Sequence, residues 1–397
     1  MGILLLDWLT FLLRWLHIVA AIAWVGASFY FIWVENRLLR GGEQRSDAVA
    51  GHLWAIHGGG FYYLEKQQTA PVPLPPQLHW FKWEAYTTWL SGVALLTVLY
   101  YLNPSLWLLA GDSGYSATVA VVCGIGYLLF GVVLYIAFAQ TPLLRYPRCF
   151  GALGLLLVTL AAWGLLQVLT PRAVFLHTGA MLATIMAVNV LMVIMPVQRR
   201  LVATAERGEV ANQADRKGSV RAGLHSLHNN YLALPVVFLM ISLHTPLLAT
   251  GARAPFVMAV LILFAVSIRH VINIKNKGQP FAYRFIIAAV ICLLVAMALT
   301  LPPNAFLSNA ASDKVTLQQV QALTEKHCVS CHAAAPVDAI FRVAPVGFKV
   351  ETEAEIIAAK DKIYQRVVID RSMPFNNQSN MQEEERQLIA RWFAQQE

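Results

Sequence analysis

Charged residues are scarce in this chain of 397 residues. Asp, Glu, Lys and Arg together make up 13% of it, whereas hydrophobic residues make up 57%. A soluble domain could not bury that much apolar surface in one core. The composition therefore argues against a soluble protein and indicates an integral membrane protein in contact with the lipid bilayer.

Several sequence motifs are also missing. The chain has no glycine-rich phosphate loop, no dinucleotide-binding fingerprint, no His-Glu-x-x-His zinc helix and no Gly-x-Ser-x-Gly elbow. These absences argue against the enzyme classes that those motifs mark. The net charge of +8 does not indicate a nucleic-acid partner either, because the basic excess lies in residues 1–302, between apolar runs.

Long apolar runs take the place of charge. A helix that crosses a bilayer needs about 20 apolar residues, and eight runs approach that length: 8–34, 85–102, 117–139, 149–169, 173–195, 231–249, 255–274 and 285–301. We therefore predict an all-α, polytopic bundle of about eight transmembrane helices over residues 1–302.

Basic residues concentrate in alternate connections between these runs, and the remaining connections hold only Arg172 and Arg253. Because basic loops stay in the cytoplasm, we predict that the N-terminus and the C-terminal region face outward, on the side of the membrane away from the cytoplasm. Residues 1–7 contain no basic residue, so we expect the first run to be a retained anchor and not a cleaved signal peptide.

The composition changes at the end of the last apolar run. A polar linker, 303–314, precedes a charged segment, 315–397, which we predict to be a soluble domain. This segment contains Cys328, Cys331 and His332 in the pattern Cys-x-x-Cys-His, which joins two thiols to a haem and aims the histidine at the iron. A disulfide, a redox pair or half a zinc site are the alternatives. No second cysteine pair follows, so we predict a covalent haem c in a small, class I-like cytochrome c domain.

An electron-carrying haem needs a second iron ligand, and methionine raises its potential. The C-terminal segment offers Met373 and Met381. Pro374 would hold the loop of Met373 extended, whereas Met381 lies just ahead of a helical-looking stretch. Met373 is therefore the preferred ligand, and core packing is the alternative role for either methionine.

Histidines within membrane spans are costly and are first interpreted as functional. His17, His177 and His244 fall in the outer halves of three runs, where a membrane haem b could bind, with His17 and His177 as the first choice of iron ligands. Arg14 lies one turn before His17 and could contact a propionate. Alternatively, Arg14 extends to the membrane surface and each histidine hydrogen-bonds a neighbouring helix.

A second set of histidines falls on the cytoplasmic side: His52, His57, His79, His225, His228 and His270. His225 and His228 are three residues apart and would share a helix face. Gly58, Gly59 and Gly60 would let the backbone approach a ligand closely. We predict a binding pocket here, and an aromatic belt at the membrane surface is the alternative.

Five stretches carry a resemblance to a known family: "WLHIVAAIAWVGASFYFIWVENRL", "HGGGFYYLEKQ", "HWFKWEAYTTWLSG", "FLHTGAMLATIMAVNVLMVIMPVQRR" and "HNNYLALPVVFLMISLHTP". Together they resemble the bacterial membrane-bound urate oxidase, also called urate hydroxylase or dehydrogenase, which is fused to a cytochrome c domain. The resemblance implies oxidation of urate to 5-hydroxyisourate. It also implies that electrons leave through cytochrome c to a respiratory acceptor, such as a cytochrome oxidase or a soluble cytochrome.

Urate is an anionic purine, so the histidine-rich cytoplasmic side becomes the expected active site. Candidates for the catalytic base are His57, His79, His225, His228 and His270, because imidazole titrates near neutral pH. Candidates for substrate binding, by stacking, hydrogen bonding or charge, are Trp54, Tyr62, Trp83, Asn229 and Arg269.

Two other functions fit parts of the pattern. The first is a haem-containing membrane oxidoreductase that acts on a quinol or another purine. A quinol site would be expected within the bilayer and not in polar segments at its surface. The second is a non-enzymatic, membrane-anchored cytochrome, although a single helix would suffice as an anchor.

Overall fold

The computed structural model describes residues 2–40, 49–68, 70–71, 73–110, 113–249, 251–280, 283–301, 314–338 and 340–396. The first part of the chain forms helices α1 to α10 and one hairpin. In order these are α1 (Gly2–Arg37), β1 (Val49–His57), β2 (Gly60–Gln67), α2 (Trp83–Leu96), α3 (Pro104–Trp107), α4 (Ala117–Ala139), α5 (Pro147–Leu165), α6 (Pro171–Val188), α7 (Met195–Glu206), α8 (Gln213–Ser242), α9 (Ala254–Asn276) and α10 (Tyr283–Thr300).

Six helical stretches in the described part of the chain are long and apolar enough to cross a membrane: Leu5–Arg37, Ala117–Ala139, Pro147–Leu165, Pro171–Glu206, Ala254–Asn276 and Tyr283–Thr300. They fit a multi-pass membrane protein, but the prediction of eight spans was too high. The run at 85–102 forms a short α2 that continues as a π-helix, and the run at 231–249 belongs to α8. His225, Asn229 and Asn230 make the middle of α8 polar, which explains its exclusion.

The α6 helix lies at the centre of the bundle. Twelve of its 18 residues are buried, as expected for a helix that is apolar on every side. It begins where the Thr170 side chain accepts a hydrogen bond from the Ala173 N–H and Pro171 occupies the first turn. It packs against α2, α4, α8 and α9. Residues that line its sides are therefore the ones that the bundle holds most firmly.

The α1 and α2 helices run antiparallel. The His17 ring lies against Gly92 near the end of α2, and the Phe31 ring meets Phe81, just before α2 begins, at 4.7 Å. The α6 and α8 helices are also antiparallel, because Gly179 contacts Leu239 while Asn189 hydrogen-bonds Asn229. The polar middle of α8 therefore lies beside the last turn of α6.

The β1 and β2 strands form an antiparallel hairpin, so the prediction of an all-α chain was incomplete. His57 pairs with Gly60, and Gly58 and Gly59 form the two-residue turn with φ values of 56° and 80°. Glycine favours this left-handed backbone, which two-residue hairpin turns require. The three glycines were predicted to admit a ligand, but two of them make the turn.

The residues from 314 onward form a second helical unit, called the tail below. Its helices are α11 (Leu317–His327), α12 (Glu353–Ala358), α13 (Lys360–Ile363) and α14 (Glu383–Ala394). Capping boxes begin α11 at Thr316 and α12 at Thr352. Trp392, Ile389 and Ile356 form the centre of a separate apolar core. The predicted linker, apart from Lys314, lies outside the described residues.

The tail contacts one end of the bundle. Asn376 Nδ2 donates a hydrogen bond to the Leu106 carbonyl of α3 at 2.7 Å, and the guanidinium of Arg172, in the first turn of α6, lies over the Phe375 ring. We call this the tail-side end of the bundle and the opposite end, where α6 finishes, the far end.

Candidate functional site

A network of buried polar side chains occupies the far end. Asn189 begins a π-helical segment, Asn189–Ile194, directly after α6. Its Nδ2 donates to Tyr135 Oη at 3.0 Å and to Asn229 Oδ1 at 2.8 Å. Single π-helical turns inside α-helices occur frequently at functional sites. Asn189 therefore joins α4, α6 and α8 through one amide.

Two histidines of α8 complete this network. His225 Nδ1 donates to Asn189 Oδ1 at 2.8 Å. His228 Nδ1 accepts a hydrogen bond from Tyr135 Oη at 2.9 Å. His225 Nε2 is buried and has no hydrogen-bond partner in the described part of the chain. With Nδ1 carrying the proton, Nε2 presents a lone pair. His225 is therefore the tautomer that can accept a proton at Nε2, and the Asn189 amide holds its ring in place.

Arg269 of α9 lies in a second polar group, on the adjacent face of α8. It is 1% exposed, and its Nε donates to Asn230 Oδ1 at 3.0 Å. Asn273, one turn later, donates to the same oxygen at 3.0 Å. The guanidinium lies 3.6 Å from the centroid of the Phe29 ring, a cation–π contact that helps to hold it in the bundle.

This second group is incompletely bonded. Among the described residues, Arg269 Nη2, Asn230 Nδ2 and Asn273 Oδ1 are buried without hydrogen-bond partners, and no carboxylate forms an ion pair with Arg269. A buried cation without a counter-charge is costly, and most buried polar atoms in proteins are satisfied. Ordered water could bond these atoms but would not balance the charge. The arrangement therefore suits a small anion that both donates and accepts hydrogen bonds.

The two groups adjoin because Asn229 and Asn230 are consecutive on α8. We call their members together the far-end polar cluster: Tyr135, Asn189, His225, His228, Asn229, Asn230, Arg269 and Asn273. Of the predicted site residues, it contains His225, His228, Asn229 and Arg269. Tyr135, Asn189, Asn230 and Asn273 were missed, although polar side chains within apolar runs are themselves a sign of function.

The other predicted site residues lie elsewhere. His270 Nδ1 lies 2.6 Å from Tyr231 Oη, and its ring meets Phe285 of α10. His57 is at the hairpin turn, and His79 is 70% exposed beside Glu84. Trp54 and Tyr62 of the hairpin and Trp83 at the start of α2 are also exposed. The structure does not bring these three aromatic residues, His57 or His79 into the cluster.

Of the two histidines predicted to bind a membrane haem, His177 is the one whose ring is fully hydrogen-bonded in the structure. Both nitrogens of His177 are engaged, since Nδ1 donates to the Ala173 carbonyl at 2.7 Å and Nε2 accepts from Tyr101 Oη at 3.0 Å. The rings of His17 and His177 meet α2 and its extension at Gly92 and Tyr101. The binding of a haem b by this pair stays a prediction.

The remaining members of that predicted set are also separate. His244 lies exposed beyond the last residue of α8, Ser242, and the Arg14 side chain is exposed on α1. His17 Nδ1 donates to the Thr88 carbonyl at 3.0 Å. His17 and His177 both hydrogen-bond neighbouring helical segments, as in the alternative interpretation of the sequence.

The tail residues, by contrast, fit a covalent haem. Cys328 and Cys331 are unpaired, and His332 Nδ1 donates to the Phe348 carbonyl at 2.9 Å, which leaves Nε2 as the ligating nitrogen. Burial, with a contribution from Cys331, raises the pKa of Cys328 to about 12, so it lacks the thiolate character of a reactive redox cysteine. No group of three or more metal-binding side chains is found among the described residues, which disfavours the zinc alternative.

The structure also separates the two methionines. Met381 is 3% exposed and belongs to the apolar core of the tail. Met373 is only partly buried, and Arg386 Nη1 donates to its carbonyl at 2.8 Å and to that of Val367 at 2.6 Å. Burial lowers the pKa of Arg386, with Arg371 adding to this effect. Met373 is thus the methionine that a ligand in the tail could reach.

One family model, described as urate oxidase N-terminal, matches residues 3–300. The match covers α1 to α10 with the far-end polar cluster, and it stops before the tail. Neither a curated protein nor a solved structure matches the chain.

Proposed function

Because the chain belongs to the urate oxidase N-terminal family, we propose that it oxidises urate at the far-end polar cluster and delivers the electrons to a haem c in the tail. Support for the proposal differs between the bundle and the tail. The family match covers the bundle, and the tail is assigned from the chemistry of its own residues.

The observation that carries the proposal is the buried Arg269, which has no carboxylate partner among the described residues. Urate is a planar anion whose edges alternate N–H donors with carbonyl acceptors. Arg269 Nη2 and Asn230 Nδ2 are donors without partners among the described residues, and Asn273 Oδ1 is an acceptor in the same state. An anion of this kind would satisfy all three atoms and balance the guanidinium charge, which makes the bound state much more favourable than the empty one.

His225 is the proposed base. One urate anion and one water yield 5-hydroxyisourate, one proton and two electrons, so a group at the site must take up a proton. His225 Nε2 is the buried lone pair of the cluster, and the bond from its Nδ1 to Asn189 Oδ1 fixes the ring and its tautomer. Tyr135 and His228 extend the same hydrogen-bond network beyond Asn189.

The tail residues would hold the electron acceptor. Cys328 and Cys331 would attach the haem, and His332 and Met373 would bind its iron. When bound, a haem c takes up one electron at a time and returns it to a carrier. The Phe348 carbonyl orients the His332 ring, and Arg386 holds the backbone of the Met373 segment. A cytochrome oxidase or a soluble cytochrome would receive the electrons.

The proposed orientation places the tail in the periplasm and the far-end polar cluster toward the cytoplasm of a bacterial inner membrane. Two features support it. Basic residues concentrate in the connections predicted to be cytoplasmic, and the tail contacts the end of the bundle opposite the cluster. Urate from purine breakdown would then enter from inside the cell.

The experiment is an anaerobic titration of the purified full chain with urate, followed by the absorbance of the reduced c-type haem. We expect reduction in the wild type, at least a 30-fold loss of apparent urate affinity in Arg269→Gln, from a charged bond of about 2 kcal/mol or more, and no change in Arg253→Gln. Arg253 is exposed at the other end of the same helix. Reduction by a quinol but not by urate would contradict the proposal.

A further inference from the structure

A short loop of the tail contacts the bundle. Residues 375–378, called the docking loop below, direct two side-chain amides at backbone carbonyls of α3 and the residues beside it. Asn376 Nδ2 donates to the Leu106 carbonyl at 2.7 Å. Gln378 Nε2 donates to the carbonyls of Ser105 at 2.9 Å and Leu109 at 3.1 Å. These contacts satisfy carbonyls at the ends of a short helix, which lack partners within it.

Aromatic rings continue from this loop into the bundle. Phe375 packs edge-on against Trp107, with ring centroids 5.1 Å apart, and Trp107 lies 5.7 Å from Tyr100. The next residue, Tyr101, hydrogen-bonds His177 of α6. An edge-on geometry at this spacing is the favoured one for aromatic pairs. The rings therefore form a packed connection between the tail and the central helix.

The docking loop is also tied to Met373. Arg386 Nη1 donates to the Met373 carbonyl at 2.8 Å, and its Nη2 donates to Asn377 Oδ1 at 3.3 Å. The Arg386 guanidinium thus links Met373, two residues before the docking loop, to Asn377 within the loop. Movement of the loop relative to Met373 would break these bonds, so docking fixes the position of Met373 relative to the bundle.

We propose that the docking loop orients the tail for electron transfer, and that the contact between Phe375 and Trp107 is the point at which electrons pass from the bundle to the tail. The inference rests on the proposed function. Urate in the bundle loses two electrons one at a time, and the ferric iron of haem c would gain each in turn to become ferrous, passing the first to the respiratory carrier before it takes the second. The rings are not oxidised themselves. They lie at the tail-side end, where the last part of the path crosses from the bundle to the tail, and electronic coupling decays less steeply through packed atoms than through a gap.

The first test measures docking without reference to any haem. Ser105→Cys and Ser379→Cys, which leave both docking amides in place, are introduced with Cys149→Ser. A protease site is placed within residues 303–313, and the full chain is treated with a short thiol cross-linker. After cleavage, we expect the tail to remain joined to the bundle on a denaturing gel. The control pair is Ser105→Cys with Glu353→Cys on α12, for which release is expected. Release from the first pair as well would overturn the proposal.

The second test measures transfer. In Trp107→Leu and Gln378→Ala, we expect urate to reduce haem c at least tenfold more slowly in single-turnover mixing, with the spectrum of the oxidised haem and the urate affinity unchanged. Asn376→Gly removes one amide but keeps the left-handed backbone at that residue, where φ is 48°, and should show a smaller decrease. Trp163→Leu, which changes an exposed tryptophan of α5, is the control.

The outcomes separate this inference from the function on which it rests. Unchanged reduction rates in both Trp107→Leu and Gln378→Ala would overturn the electron route while leaving urate oxidation intact. Failure of urate to reduce haem c in the wild type would defeat the proposed function and the route with it, and the cross-linking result would then decide docking alone.

Discussion

The buried histidines at the two ends of the bundle differ in how completely their ring nitrogens are hydrogen-bonded. At the tail-side end, His177 is fully buried and uses both ring nitrogens, one on the Ala173 carbonyl and one on Tyr101. At the far end, His225 is 2% exposed and uses one nitrogen, while Nε2 has no partner among the described residues. Burial alone therefore does not mark a functional histidine. The unbonded Nε2 of His225, which lies in the same polar network as His228 and Asn189, is the reason that we propose a role for His225 and not for His177.

The test with the largest expected effect replaces a buried histidine by glutamine at each end. In His225→Gln we expect the turnover of urate to fall by about 100-fold or more, because general-base catalysis contributes about 10² to 10⁴, with little change in thermal stability. In His177→Gln we expect the reverse, a lower melting temperature with near-normal turnover of the folded protein. Steady-state assays and thermal unfolding in detergent measure the two quantities.

If His177→Gln lost activity without losing stability, the tail-side histidine would have a chemical role and the comparison would fail. A pyridine haemochrome spectrum adds an independent check at the same end. The bonds of His177 predict that it reports haem c alone, and a b-type haem would show that this layer rearranges around a cofactor.

A second test addresses packing around His177. A methyl group added at Gly124 would lie 2.5 Å from His177 Nε2, whereas one added at Gly126 meets nothing within 4 Å. Gly124→Ala should therefore destabilise the bundle by about 1–3 kcal/mol through overpacking. Gly126→Ala, on the same helix, should be neutral or stabilise it by up to about 1 kcal/mol. Equal melting temperatures for the two variants would show that His177 is not held where the structure places it.

The smallest effect extends the comparison to the tail, where Glu385 is bonded at both oxygens. Burial raises the pKa of Glu385, but hydrogen bonds from Lys326, Gln382 and His327 outweigh this effect and lower the pKa to about 2, from an ordinary 4.5. The carboxylate therefore stabilises the tail above about pH 4.5, and the contribution is lost as the pH falls toward 2.

Acid unfolding of the full chain, followed by the haem absorbance of the tail, measures this contribution. We expect Glu385→Gln to remove about 1 kcal/mol of it, with allowance for solvent screening, and Glu384→Gln, an exposed neighbour, to leave the acid transition unchanged. An unchanged transition in Glu385→Gln would show that its bonds do not persist in solution.

The sequence predicted the fold where hydropathy is uniform. The run at 117–139 has the bounds of α4, since nothing within it competes with helix formation. Prediction failed where a helix carries both apolar and polar stretches, as α8 does, because an average over the run hides the polar middle. The hairpin was missed because its aromatic residues and glycines were interpreted as parts of a pocket. Val49–His57 and Gly60–Gln67 form strands instead.

The candidate site was predictable only in part. The spacing of His225 and His228 indicated that they share one helix face, and the centroids of their rings are 5.9 Å apart. Asn189 and Asn230 could have been suspected as polar residues within or beside apolar runs. Their bonds to Tyr135, Asn229 and Arg269 could not, because these partners are distant in sequence and meet only after the helices pack. The roles assigned to these residues stay predictions.

The docking loop has a kinetic consequence. A partner that shares one polypeptide with its target meets it at an effective concentration in the millimolar range for short tethers. Three amide-to-carbonyl bonds would be too few to hold two separate proteins together at cellular concentrations, yet they suffice within one chain. The encounter is therefore first order and independent of expression level. Under the proposed function, this would let the tail leave the bundle between successive electrons and turn to a second redox partner.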